Sequence, residues 1–204
     1  MFHVPPALQR LADQIDGWLD LRCPDRAIAL LGPLLAEPTA RAAGLAMRVR
    51  ALARLGNYRD ALPDLAELRT AAPEESWIDL TEAWCRKRAG DLPGAIRCLE
   101  TLVLRDHRSD VAHFNLACYL ALAGEHDRAI DELTLACGLD EHCRDFARDD
   151  PDLDPLRTDP RFRQLLREAP PASEGAADEE EEEIDEDLDD EDPEPPASDR
   201  HRRN

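Results

Sequence analysis

Four alanines in this chain stand at intervals of 34 residues: Ala27, Ala61, Ala95 and Ala129. Each is followed by an apolar residue (Ile28, Leu62, Ile96, Ile130) and, four residues on, by a leucine (Leu31, Leu65, Leu99, Leu133). A period of this length belongs to stacked units, each of which completes its core only against a neighbour. Such chains present surfaces, so the sequence directs attention to a groove and a partner before a catalytic centre.

Each unit reads as two helices. In the fourth, Leu116, Ala117 and Leu120 share one helical face, Gly124 ends that helix, and Ala129, Ile130, Leu133 and Ala136 form the apolar stripe of the next. Pro93 falls at a helix start, where a missing N–H costs little. Gly32 and Pro33 fall inside the second helix of the first unit and predict a kink.

These residues resemble the tetratricopeptide repeat. Gly56, Gly90 and Gly124 match its turn glycine, with Arg22 in the first unit; the four alanines match its small helix-crossing position; Pro73, and Pro38 within one residue, match its closing proline. The family's first-helix aromatic is replaced by Leu11, Leu45, Asp79 and His113. The resemblance implies an all-α, right-handed α-solenoid of helix-turn-helix repeats at 8–41, 42–75, 76–109 and 110–141, preceded by an arm, 1–7. The block 142–170 is similar to the ending of many bacterial members. There, Asp159 and Pro160 read as a helix start and Phe162, Leu165 and Leu166 as the apolar face of a capping helix.

The third unit has two open registers. The strict one sets Asp79 and Arg86 at core positions; a two-residue slip sets Trp77, Leu80 and Trp84 there. In the strict register the resemblance lets the first helix of each unit line a groove. Asp13, Asp16 and Asp20 face it from unit one, and Met47, Arg50 and Arg54 from unit two. Trp77, Leu80, Trp84, Lys87 and Arg88 follow from unit three, and Val111, Phe114, Asn115 and Leu122 from unit four. The candidate protein-binding residues are Arg50, Arg54, Trp77, Trp84, Lys87, Arg88, Phe114 and Asn115. Arg50, Arg54, Lys87 and Arg88 are expected to face solvent, and Trp and Arg are the side chains that most often dominate interface energy. Asn115 stands where some family members hold a chaperone peptide's terminal carboxylate. The cationic partners of that clamp are missing, with Ala43, Met47, Thr81 and Val111 nearby, so that role is disfavoured.

No serine-hydrolase elbow, zincin, P-loop or dinucleotide motif occurs, and the six histidines are scattered, with His113 and His126 expected as exposed or cap-forming. The reading is therefore a non-enzymatic adaptor or scaffold for a protein or peptide partner, with no catalytic residue, cofactor or metal. The alternatives are a holdase or assembly chaperone for a basic protein, or an accessory subunit of an enzyme complex. A formal net charge of -20 disfavours nucleic acid and membrane surfaces. Six cysteines without a CxxC pair are expected as reduced, mostly buried thiols. No secretory signal or membrane-length apolar run is visible, so a cytoplasmic location is expected.

The stretch 174–199 holds sixteen carboxylates, and only Ile184 and Leu188 are large and apolar there. Such a tail, 171–204, cannot offset its ordering entropy and is expected to be disordered. It is a solubility aid, an electrostatic contact for basic partners, or a tethered segment that folds back onto the cationic strip.

Overall fold

The computed structural model describes residues 2–167; the acidic tail, and its contact with the strip, lie outside the described residues. Among them no strand occurs. They form two compact units, 2–107 and 108–167.

The first unit runs α1 (Pro6–Asp20), α2 (Pro24–Leu30), α3 (Gly32–Ala36), α4 (Arg41–Arg54), α5 (Tyr58–Ala71), α6 (Ser76–Arg88) and α7 (Leu92–Arg105). Helix packs on the next helix in pairs: α1 on α2, α4 on α5, α6 on α7. The second unit repeats the scheme with α8 (Asp110–Leu122) on α9 (His126–Leu139), then adds α10 (Cys143–Asp149), a 3-10 turn (Pro151–Leu156) and α11 (Pro160–Leu165).

The 34-residue period has a direct physical counterpart. Ala27, Ala61, Ala95 and Ala129 are all fully buried, as are Leu65, Leu99 and Leu133, with Leu31 at 1% exposure. A methyl group at each crossing lets two helix axes approach as closely as the paired helices require. The turn between the paired helices needs a left-handed residue: φ is 76° at Gly56, 83° at Gly90 and 81° at Gly124, and Arg22 takes the same conformation at 53°. The kink at Gly32 and Pro33 is a full break, with Leu31 between α2 and α3 and Pro33 in the first turn of α3.

The third hairpin adopts the strict register. Ile78, Ala83 and Cys85 are buried beside Asp79 and Glu82, each about as buried as they are. The carboxylates are admissible there because three guanidinium groups reach them. Arg69 of α5 bonds Glu82 and lies 3.6 Å from Asp79, Arg86 bonds Glu82 at 2.7 Å, and Arg105 of α7 bonds Asp79 at 2.8 Å. A carboxylate in a dry interior is tolerated only with such partners. The second hairpin has a smaller version, in which Arg48 forks onto buried Asp64 at 2.6 and 2.5 Å.

In the second unit His113 corrects an expectation. It is buried, not exposed, with Nδ1 2.6 Å from Glu132 Oε2. His126, at the start of α9, is exposed. Two of the cysteines expected as thiols are bonded to each other: Cys137, near the end of α9, is joined to Cys143, the first residue of α10. Spacing gave no warning, because the six-residue separation becomes a short span only once the chain turns between the helices. Leu153, Leu156, Phe162 and Leu165 bury themselves in this unit, and the Arg161 N–H donates to the Asp159 carboxylate at 2.8 Å to start α11.

Candidate protein-binding surface

The eight candidate residues divide into three settings. Arg50 and Arg54 lie on α4 and are already engaged by α1. Arg50 bonds Asp16 at 2.7 Å and Asp20 at 3.4 Å, and Arg54 donates to the Leu19 carbonyl oxygen. The expectation that they simply face solvent is corrected: the acids of α1 and the cations of α4 are partners, and both arginines are half-buried. Sequence reading placed both sets on one face but had no means of pairing them.

Trp77, Trp84, Lys87 and Arg88 all lie on α6. Trp77, Trp84 and Arg88 follow one another at seven and four residues, which sets them on one helical face. Both tryptophans are half-buried, and neither is lost in the core. Instead each meets another ring edge-on. Trp84 meets Tyr58 of α5 at 5.1 Å between centroids and 90° between planes; Trp77 meets Phe2 at 6.1 Å and 69°. Edge-to-face contact sets the positive rim of one ring against the negative face of the other. Arg88 continues the strip: its guanidinium lies 5.2 Å from the Tyr58 ring centroid, and its Nε donates to the Tyr58 hydroxyl at 3.2 Å. With Arg86 and Lys87 it forms a basic last turn, which suits the negative end of the helix dipole.

Phe114 and Asn115 belong to α8 in the second unit. Both are half-buried, and the Asn115 amide donates back to the Val111 carbonyl at 2.8 Å, so its side chain is folded along its own helix.

Tyr58 and Phe2 were missed by the sequence reading. Tyr58 directly follows the Gly56–Asn57 turn, where the equivalent residues are Pro24, Leu92 and His126, so nothing periodic marks it. Phe2 lies before the first repeat, where the period has no reach.

One trio of potential metal ligands comes together among the described residues: Asp79, Glu82 and Cys98. Its chemistry suits the ion network. Three arginines already occupy the carboxylates. Burial, then the nearby Asp79 charge, pushes the Cys98 thiol up to about 11, and it donates to the Asp79 carbonyl oxygen at 3.4 Å. No described helix is long and apolar enough to cross a membrane.

No family model and no curated protein matches this chain. Among solved structures it is similar to "MamA 41-end from Desulfovibrio magneticus RS-1", at 16% identity and a TM-score of 0.62, over 80% of this chain and 96% of that one. It is also similar to "MamA RS-1 ArsTM double mutant", at 18% identity and a TM-score of 0.59, over 70% of this chain and 77% of that one. Likeness at this identity shows the fold: an all-α chain of paired helices.

Proposed function

We propose that this chain is a non-enzymatic adaptor of tetratricopeptide type, with repeats at 8–41, 42–75, 76–109 and 110–141. It holds a partner segment along the face of α6; Phe114 and Asn115, in the second unit, are a candidate contact of their own. The observation that carries this reading is the state of Trp77 and Trp84. Two large rings lie in file on one helix, half-exposed, beside a basic turn, while two carboxylates of the same helix are buried in an ion network beside Ile78, Ala83 and Cys85. A helix that keeps carboxylates inside and tryptophans at its surface is built for what it presents. The segment that suits it carries an apolar anchor and acidic neighbours for Lys87 and Arg88. The likeness to MamA structures supports the repeat fold on which this rests.

The test is affinity capture with the full chain, wild type against Trp77→Ala/Trp84→Ala and Arg88→Glu, each checked for unchanged helicity. The expected result is the same few stoichiometric proteins on the wild type, reduced at least about tenfold on the variants. Partners retained equally by all three baits would remove the reading. Capture of basic proteins that depends only on 172–204 would replace it with the holdase; a single co-purifying enzyme would replace it with the accessory subunit.

A further inference from the structure

Residues 2–5 lie against the first unit in the manner of a bound peptide. Phe2 and Val4 are half-buried and His3 between them is exposed, the alternation of an extended segment. Phe2 joins the cluster that includes Trp77 and Trp84, whereas Val4 joins the cluster of α1 and α2. Pro5 has φ −59° and ψ 147°, the polyproline conformation. Among the described residues, no backbone–backbone hydrogen bond ties Phe2, His3 or Val4 to anything else. The arm is therefore held by alternate side chains alone, and what side chains alone hold is exchangeable.

We infer that the Trp77 end of the strip is a site for an extended partner segment of the pattern aromatic, any residue, aliphatic, and that residues 2–4 are its resident occupant. This deepens the adaptor reading and rests on it. The arm shows what the site accepts: an aromatic ring edge-on to Trp77, a polar residue turned outward and an aliphatic side chain two residues on, while Pro5, whose carbonyl accepts the Leu8 N–H, fastens the arm to α1. A partner bearing that pattern competes with a tethered rival, so its apparent affinity is reduced by the fraction of molecules whose arm is seated.

A labelled peptide with the sequence of residues 1–6 is titrated into the full chain, wild type and Phe2→Ala, and followed by anisotropy. The Phe2→Ala chain is expected to bind it about two- to fivefold more tightly than the wild type, because the aromatic position beside Trp77 is vacated. A peptide with alanine in place of the phenylalanine, or a chain carrying Phe2→Ala and Trp77→Ala together, is expected to lose binding. A second readout needs no added ligand. In the full chain with Trp18→Phe and Trp84→Phe, acrylamide quenching of Trp77 rises when Phe2 becomes alanine. Equal affinity for the two chains, no measurable binding to the Phe2→Ala chain, or unchanged quenching overturns the inference. Its failure leaves capture through Trp84 and Arg88 standing, whereas capture indifferent to both tryptophans removes the adaptor reading itself.

Discussion

Arg22 holds the left-handed backbone that Gly56, Gly90 and Gly124 hold in the later turns. A Cβ in that conformation costs about 1 kcal/mol, which glycine avoids. Arg22→Gly is therefore expected to raise stability by up to about 1 kcal/mol, and Gly90→Ala to lower it by a similar amount; urea denaturation measures both. Ala95 is a harder case, since it is fully buried at a helix crossing. Ala95→Leu is expected to cost about 1–3 kcal/mol, because the added methylenes must push two helices apart. Asp91 couples a cap to pH. Its carboxyl is held below the ordinary 3.8 by the Arg86 guanidinium first and by the Gly94 N–H second. A folded-state value depressed in this way gives stability that is full above the unfolded value and is lost as pH falls through the folded one. Acid unfolding below about pH 4 should thus be flatter in Asp91→Asn, read as the slope of melting temperature against pH. Gly94 leaves room for the same cap, since a Cβ there would push the Asp91 carboxylate aside.

Within an element, α6 shows how charge can enter a largely apolar core without changing the register. Asp79 and Glu82 are buried, whereas Arg69, Arg86 and Arg105 keep about a third of their side chains in solvent. The two halves of the network are therefore unequal. Removing Arg69 leaves each buried carboxylate with one guanidinium in place of two, at an expected cost of about 2 kcal/mol. Removing the Asp79 carboxylate as Asp79→Leu frees arginines that can turn to water, at an expected cost below about 1 kcal/mol. Equal losses in denaturant would contradict this account. The Cys137–Cys143 bond makes a second prediction at this scale. It closes a short loop and contributes about 2 kcal/mol to holding α10 on α9 by the chain-entropy argument. Denatured without reductant, the chain should titrate four thiols, those of Cys23, Cys85, Cys98 and Cys118, and six after reduction. In the native chain Cys85, pushed up to about 12 by burial, should resist alkylation.

For the molecule as a whole, the arm is the part whose energy is nearest to balance. Half-burying Phe2 gains about 1 kcal/mol, while ordering each backbone residue costs about 1–2 kcal/mol. Phe2→Ala should consequently change global stability by less than about 1 kcal/mol, the loss that matches a change of up to about fivefold in ligand binding; a large loss in denaturant would show the arm to be part of the core instead. The same balance explains what was legible. The period, its alanine crossings, its glycine turns and an interruption at Gly32 and Pro33 could be read in advance, because each is local or periodic, although a kink was expected where the helix breaks. The candidate strip on α6 was legible as spacing, but its partners Tyr58 and Phe2 were not, because they come from an adjacent helix and a non-repeating arm.

The sequence by itself determined the helical hairpins, since a methyl at every crossing and a left-handed residue at every turn leave little else for a 34-residue period to build. Only the tertiary structure decided between the two registers of α6. Pattern alone favours tryptophan inside and aspartate outside. Three arginines converging from α5, α6 and α7 reverse that preference, because a carboxylate's cost of burial depends on what surrounds it in space. The tryptophans stay half-exposed on α6 while the carboxylates, with partners within, are buried.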